Sequence, residues 1–130
     1  MANVLIVDDD VDMADASRLL LESVGHRIRI GHSGKEGLAT LSAAPLPDCV
    51  LLDVEMPLLD GPGMAHQMLL NDGGEEKIPI LLISGRDDLS EIAARMGTPY
   101  FLEKASRDYC DVLLKMLEQA LRERRAPASA

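Results

Sequence analysis

Short hydrophobic segments alternate along the chain with longer segments in which hydrophobic residues recur at helical spacing. Short hydrophobic runs that end at turn residues are typical of strands buried on both faces of a sheet. The predicted strands are Val4–Val7, Arg27–Ile30, Cys49–Leu52, Ile78–Ile83 and Tyr100–Leu102. The second alternates polar and hydrophobic residues, which predicts an edge strand whose arginines discourage pairing with another sheet.

A helix is predicted after each strand. The first covers Val11–Val24 and is stopped by Gly25, and the second begins at a capping box formed by Ser33 and Glu36. The remaining helices are predicted around Met64–Leu69, from Asp87 or Asp88 to Met96, and from Ser106 to Leu121. Strands that alternate with helices imply right-handed crossovers and a parallel sheet covered on both sides, which is an α/β fold.

The length and composition fit one domain. A chain of 130 residues that is 47% hydrophobic can bury a core without disulfides or a structural metal. Residues 1–122 are predicted to form this domain and residues 123–130 a flexible tail, because the sequence there becomes charged and then rich in small residues. The two cysteines, Cys49 and Cys110, lack metal-ligand spacing and are expected to be reduced and largely buried.

The charge of the chain restricts its partners. A formal charge of -9 repels nucleic-acid phosphates and anionic membrane surfaces. The first residues lack the basic region and the long apolar stretch of a signal peptide, and no apolar run approaches the about 18 residues of a membrane span. We therefore expect a cytoplasmic protein with no nucleic-acid and no membrane partner.

Reactive or polar residues follow the ends of the central hydrophobic runs. They are Asp8 and Asp9 after the first strand, Asp53 after the third, Ser84 after the fourth and Lys104 after the fifth. Because the carboxyl ends of parallel strands share one edge, where ligands bind, we expect these side chains to lie together. Three carboxylates repel one another unless a cation lies among them, and hard oxygen ligands suit Mg²⁺. Asp10 or Asp12 is better explained as a solvated acid that caps the first helix.

Asp53 is the candidate reactive group. A carboxylate at the end of a buried strand is costly unless it is paired or takes part in chemistry. Such a carboxylate can attack a phosphoryl group, while a metal ion and a lysine offset the charge that develops. Taken alone, Lys104 fits a solvated lysine and Ser84 a hydroxyl that satisfies a backbone group. The interpretation therefore depends on the combination.

This combination resembles the receiver domain of bacterial two-component response regulators, over residues 3–121. The matching segments are the acidic pair Asp8-Asp9, the pattern Asp-x-x-Met-Pro-x-x-Asp-Gly over Asp53–Gly61, the pair Ser84-Gly85, and Lys104. The resemblance implies a flavodoxin-like, doubly wound sheet of five parallel strands in the order 2-1-3-4-5, with five helices.

The same resemblance implies how the acidic residues divide their roles. Asp53 would accept a phosphoryl group from a phosphohistidine on a histidine kinase or a phosphotransfer protein. Asp8, Asp9, Asp53 and the backbone carbonyl of Glu55 would hold Mg²⁺. Ser84 and Lys104 would contact the phosphoryl oxygens.

A switch and an output face are also implied. Phosphorylation would draw Ser84 inward, and Phe101 would turn inward with it; a plain core aromatic is the alternative for Phe101. A downstream protein would bind the face of the fourth helix, fifth strand and fifth helix. The aromatic residues Tyr100, Phe101 and Tyr109 all fall in this stretch, although core packing would also explain some of them.

The sequence departs from the family at two places. Receiver domains usually follow this lysine with a cis proline, whereas Ala105 follows Lys104 here, and a cis bond before a non-proline costs about 2.5–4 kcal/mol. The loop is therefore expected to differ in shape, and with it the reach of Lys104. In addition, Glu55 and Arg86 could pair across the pocket and slow the loss of the phosphoryl group; two solvated loop charges are the simpler alternative.

The sequence thus predicts a single-domain response regulator that signals by protein contact and is not an enzyme. One alternative is an interaction module of the same fold that does not use phosphate. Another is a Mg²⁺-dependent aspartyl phosphatase, although such enzymes usually have a cap over the substrate and this sequence is too short to include one. The sequence leaves open the cognate kinase, the output target, and whether the chain is a fragment of a longer regulator.

Overall fold

Five parallel strands form the centre of the molecule. The structure, a computed structural model, describes residues 2–41, 47–53, 79–85, 89–96, 99–104 and 107–125. The strands are β1 (Asn3–Val7), β2 (Arg27–Gly31), β3 (Cys49–Asp53), β4 (Ile80–Ser84) and β5 (Phe101–Glu103). Their order across the sheet is β2-β1-β3-β4-β5, which confirms the predicted flavodoxin-like topology and places the alternating strand β2 at an edge.

The described helices are α1 (Val11–Ser23), α2 (Gly34–Leu41), α3 (Leu89–Met96) and α4 (Tyr109–Arg125). The helix predicted around Met64–Leu69 lies outside the described residues, so α3 and α4 correspond to the fourth and fifth predicted helices. From β1 the chain moves outward to β2, and it then crosses back over β1 to β3 and continues to β5. Because the crossovers are right-handed, this change of direction places α1 and α4 on the same face of the sheet.

Capping residues set the limits of α1 and α2. Asp10 precedes α1, and its Oδ1 accepts a hydrogen bond from the backbone N–H of Met13 at 3.1 Å, so the capping role expected of one loop acid is confirmed for Asp10. Gly25 follows α1 with a φ of 96°, a left-handed conformation that glycine adopts without strain. The Oγ of Ser33 accepts a hydrogen bond from the N–H of Glu36 at 3.1 Å, as one half of a capping box does.

The core lies where the central strands meet the helices. Every residue of β3 is buried, as are all residues of β1 after Asn3. From α4, the buried aliphatic side chains are Leu113, Leu117, Ala120 and Leu121. Burial of one leucine side chain of this kind stabilises the fold by about 1.5–3 kcal/mol. The hydrophobic runs that were predicted as strands therefore form the core that holds the carboxyl edge of the sheet in place.

The strand register brings the strand ends level with one another. Val7 pairs with Leu52 in β3, so Asp8 and Asp53 are the next residues on adjacent strands. Asp53 pairs with Ile83, and Ser84 pairs with Glu103. The residues that follow the hydrophobic runs consequently share one edge of the sheet, as predicted.

Two predictions near the end of the chain need correction. α4 continues to Arg125, so residues 123–125 belong to a helix and not to the predicted tail; residues 126–130 lie outside the described residues. The hydroxyl of Tyr100 donates a hydrogen bond to Oε2 of Glu123, which ties the last turns of α4 to the start of β5. Cys49 is buried as expected, but Cys110, in the first turn of α4, is exposed.

Candidate functional site

Three carboxylates meet at the carboxyl edge of the sheet. Oxygen atoms of Asp8, Asp9 and Asp53 all lie within 4.8 Å of one another. Asp8 follows β1 and is 0% exposed, and Asp53 ends β3 and is 2% exposed, whereas Asp9 is exposed on the loop. The register of two adjacent strands, rather than a local sequence motif, produces this arrangement.

Lys104 brings a positive charge to the buried acids. Its Nζ lies 3.0 Å from Oδ2 of Asp53 and 3.2 Å from Oδ2 of Asp8. Its backbone N–H donates to the carbonyl of Ser84 at 3.1 Å, so strand pairing with β4 fixes the start of the side chain. Lys104 therefore reaches both carboxylates, although Ala105 follows it in the sequence.

Two opposing effects act on the pKa of Lys104. Partial burial lowers the pKa of the ammonium, and this is the largest single effect. The hydrogen bonds that the ammonium donates to Asp53 and Asp8, together with the charges of these two acids, outweigh it, so the pKa lies above its usual value. Lys104 is therefore held as a cation between the two acids.

Hydrogen bonds hold the loop after β1, which carries Asp8 and Asp9. Oδ1 of Asp8 accepts from the backbone N–H of Asp10 at 2.9 Å. Nδ1 of His32 lies 3.3 Å from the carbonyl oxygen of Asp8. His32 was not among the site residues predicted from the sequence, although it directly follows β2 and therefore lies at the same edge of the sheet. His32 therefore supports the backbone of Asp8 from the side of β2.

The acidic group is compatible with a Mg²⁺ site. Oδ2 of Asp8 is buried and accepts no hydrogen bond from any described residue, so it has coordination capacity left despite its proximity to Lys104. The three side chains offer only oxygen atoms, which are the ligands that Mg²⁺ prefers. Glu55, which was expected to add a backbone carbonyl, lies outside the described residues.

Ser84 and Phe101 occupy different environments. Ser84 ends β4 and is 0% exposed, one residue beyond Ile83, the register partner of Asp53. Phe101 is 37% exposed and lines a cavity with Leu102, Glu103 and Val112, so the alternative of a plain core aromatic does not apply to it.

The other residues predicted to belong to the site or the output face are buried or lie outside the described residues. Tyr100 and Tyr109 are buried, so core packing accounts for these two aromatics. Arg86 and Ala105 lie outside the described residues. Among the helices that the structure describes, none has the length and the apolar character needed to cross a membrane.

Comparison with known proteins identifies the family. The model of the response regulator receiver domain matches residues 4–118. Response regulator MprA of Mycobacterium tuberculosis (strain ATCC 25618 / H37Rv) is 36% identical over 103 residues, which cover 78% of this chain and 43% of that protein. Response regulator MprA of Mycolicibacterium vanbaalenii is 38% identical with the same coverage. The chain thus spans less than half the length of these curated relatives.

Solved structures show the same architecture. NtrX from Brucella abortus superposes with a TM-score of 0.82 at 29% identity, over 95% of this chain and 27% of that chain. A putative response regulator from Chloroflexus aurantiacus J-10-fl gives a TM-score of 0.81 at 27% identity, over 93% of this chain and 98% of that chain. Chemotaxis protein CheY4 of Vibrio cholerae gives a TM-score of 0.80 at 24% identity over 92% and 98% of the two chains, and supports the fold alone. Since the family model spans most of the sequence, this chain belongs to the family of response regulator receiver domains.

Proposed function

We propose that Asp53 accepts a phosphoryl group from a phosphohistidine on a histidine kinase or a phosphotransfer protein. The observation that carries the proposal is the position of this buried carboxylate, 3.0 Å from the Lys104 ammonium and within a group of three acids. A buried carboxylate with a cationic partner and an acidic neighbour fits a nucleophile toward phosphorus. The chain acts as a signalling domain that assists its own phosphorylation.

The transfer balances without a further co-reactant. An oxygen of Asp53 forms a bond to phosphorus as the bond from phosphorus to the histidine nitrogen breaks, and the imidazole leaves with the electron pair and takes up a proton. Lys104 offsets the negative charge on the phosphoryl oxygens and holds Asp53 in place before the transfer. The buried hydroxyl of Ser84, next to the partner of Asp53 in the sheet, is proposed to donate to a phosphoryl oxygen.

Asp8, Asp9 and Asp53, with the backbone carbonyl of Glu55, would hold Mg²⁺. When bound, the ion would neutralise the acids and the oxygens of the incoming phosphoryl group. The hydrogen bond from the N–H of Asp10 would keep Oδ1 of Asp8 oriented.

Output is proposed to occur through protein contact at the face formed by α3, β5 and α4. Phosphate adds negative charge and acceptor oxygens near Ser84, which would pull the end of β4 inward. Phe101 is exposed on the adjacent strand and is free to follow, which changes the surface that a downstream protein meets. The receiver domain is proposed to extend to the end of α4 at Arg125, and the protein is proposed to be a cytoplasmic single-domain regulator.

The length of the curated relatives bears on the stand-alone role. The curated relatives are more than twice as long as the matched region, so they do not favour a regulator made of this domain alone. For the same reason they do not support the expectation that nucleic acid is absent among the partners of the whole protein.

Glu55 and Arg86 are retained as a hypothesis for the lifetime of the phosphorylated state. An ion pair between them would hinder the approach of water to the phosphoryl group. Replacement of Arg86 by alanine should then speed dephosphorylation, and an unchanged rate would remove the hypothesis.

Incubation with Mg²⁺ and acetyl phosphate, followed by intact-protein mass measurement, tests the proposed function. The expected result is the added mass of one phosphoryl group, which does not form when Mg²⁺ is chelated beforehand or when Asp53 is replaced in Asp53→Asn. Failure to form an adduct with acetyl phosphate and with the cognate kinase would overturn the proposal. Multiple turnover of small phosphate esters would instead favour the aspartyl phosphatase.

A further inference from the structure

A buried pair of hydroxyls joins α1 to the start of α4. Ser17 on α1 is 2% exposed, and Tyr109, the first residue of α4, is 9% exposed. Their hydroxyl oxygens lie 3.3 Å apart, across a separation of 92 residues in the sequence. Burial of two hydroxyls costs free energy that a pair of hydrophobic side chains would avoid. The roles assigned to the site so far do not account for this pair.

On one side, the pair is connected to the acids. The N–H of Asp10 donates to Oδ1 of Asp8 at 2.9 Å, and Oδ1 of Asp10 accepts from the N–H of Met13 at 3.1 Å. Ser17 lies four residues after Met13 and therefore about one helical turn further along α1. A contact that fixes Ser17 consequently fixes the helix to which the acidic loop is bound.

On the other side, the pair is connected to the lysine. Tyr109 begins α4 five residues after Lys104, whose backbone is already held by the carbonyl of Ser84 at 3.1 Å. Burial raises the pKa of Tyr109, the hydrogen bond from Ser17 lowers it, the Asp8 charge raises it and the Lys104 charge lowers it. The hydroxyl of Tyr109 thus lies within electrostatic reach of both the acid and the lysine.

We propose that the contact between Ser17 and Tyr109 is a positioning device that holds the start of α4 against α1 and thereby fixes Lys104 relative to Asp8 and Asp53. The inference rests on the proposed function, because the positioned group is the lysine that would contact the phosphoryl group. Lys104 occupies the same carboxylates that a magnesium ion would use. Loss of the contact therefore has two opposite effects: Mg²⁺ binds more tightly, and phosphoryl transfer becomes slower.

The test uses two substitutions that preserve packing, Tyr109→Phe and Ser17→Ala, and the double variant. Two controls remove hydroxyls that take no part in this contact: Tyr100→Phe, which removes the hydroxyl bonded to Glu123 near the other end of α4, and Ser23→Ala at the last residue of α1, where the Oγ donates to the carbonyl of Leu20. Calorimetric titration with MgCl₂ gives the Mg²⁺ affinity, and the rate of adduct formation with acetyl phosphate gives the transfer step.

Each single variant should bind Mg²⁺ about two- to tenfold more tightly and form the adduct about two- to tenfold more slowly than the controls, as expected for one hydrogen bond. The double variant should show no more than the larger single effect, because both substitutions remove the same contact. Lower stability with unchanged Mg²⁺ affinity and transfer rate would mean that the pair serves folding alone and would overturn the inference. If the unsubstituted protein forms no adduct, the proposed function fails, while the Mg²⁺ titration still decides the positioning role.

Discussion

At the residue scale, Lys104 pairs with the two carboxylates that a bound magnesium ion would also use. The Nζ of Lys104 lies 3.0 Å from Asp53 and 3.2 Å from Asp8, and both distances are those of direct ion pairs. A cation that enters the site must therefore compete with the lysine for Asp8 and Asp53. After phosphorylation, the same ammonium would be available to the phosphoryl oxygens.

Replacement of Lys104 by alanine should change metal binding and transfer in opposite directions. We expect tighter Mg²⁺ binding, because a competing cation is lost, and about 10- to 100-fold slower adduct formation, because charged hydrogen bonds contribute about 1.5–3 kcal/mol. Titration with Mg²⁺ and the rate of adduct formation measure the two effects. Lys115→Ala, which removes an exposed lysine from α4, is the control. Equal Mg²⁺ affinity in both variants would contradict the competition between lysine and metal.

Tyr100 should make the stability of the protein depend on alkaline pH. Burial first, then the hydrogen bond to Glu123 and the charge of that residue, raise the pKa of Tyr100 from 10.0 to about 12. A folded-state pKa above the unfolded value means that this contribution to the free energy of unfolding is complete below pH 10 and is lost as the pH rises toward 12. Denaturant unfolding across this range should show a decline that is smaller in Tyr100→Phe. Near-UV titration of Tyr100 at the ordinary tyrosine pKa would contradict the expectation.

The positions of single site residues could be predicted from the sequence where the fold constrains them strongly. Asp8, Asp53 and Lys104 follow buried strands, and the parallel topology alone brings strand ends together. The contact of Ser17 with Tyr109 could not be predicted in this way, because it depends on the rotation of two helices about their axes. The exposure of Phe101 was likewise not available from the hydrophobic run Tyr100–Leu102, in which Phe101 stands between two buried residues.

At the element scale, β2 and α2 approach each other closely at a glycine. A Cβ atom added to Gly31, the last residue of β2, would lie 2.8 Å from the backbone N and 3.1 Å from the Cα of Gly37 in α2. Backbone atoms cannot rotate away as a flexible side chain can, so α2 itself would have to move.

Gly31→Ala should therefore destabilise the fold by about 1–3 kcal/mol, as overpacking does in other proteins. Urea unfolding measures the change in the free energy of unfolding. Gly85→Ala is the matched control, because an added Cβ there meets no atom within 4 Å. Equal stability of the two variants would show that α2 shifts without cost.

Element limits could be predicted where caps and hydrophobic runs coincide. α1 ends where Gly25 predicted, and β3 extends by a single residue beyond the hydrophobic run, to Asp53. α4 was predicted to end too early, because the charged residues after Leu121 suggested a tail. The bond between Tyr100 and Glu123, which links the last turns to the sheet, depends on tertiary structure and leaves no periodic signal.

At the scale of the whole molecule, the acidic group should couple metal binding to stability. Three acids converge in a chain with a formal charge of -9, so Mg²⁺ would relieve repulsion that the folded state concentrates. A ligand that binds the folded state alone stabilises it by about 2.7 kcal/mol at 100 times its dissociation constant. We expect Mg²⁺ to raise the melting temperature, and Asp8→Asn to reduce the increase. An equal increase in that variant would place the metal elsewhere.

The family and the sheet order of the whole molecule followed from the resemblance carried by the motifs at the strand ends, while the hydrophobic patterning located the strands, as continuous runs or, in β2, as an alternating one. The composition of the interaction face could be predicted from the sequence only in part. Of its three aromatics, Phe101 is exposed, while Tyr100 and Tyr109 are buried and bonded to other elements. A hydrophobic residue type does not reveal whether its side chain faces a helix or the solvent.

The identity of the modified residue tests the central claim most directly. The protein is incubated with Mg²⁺ and acetyl phosphate, reduced with borohydride to convert an aspartyl phosphate to homoserine, and digested for peptide mass mapping. The account predicts homoserine at position 53 and at no other aspartate. Homoserine at Asp8 or Asp9, or none in a protein that carries the phosphoryl mass, would contradict it.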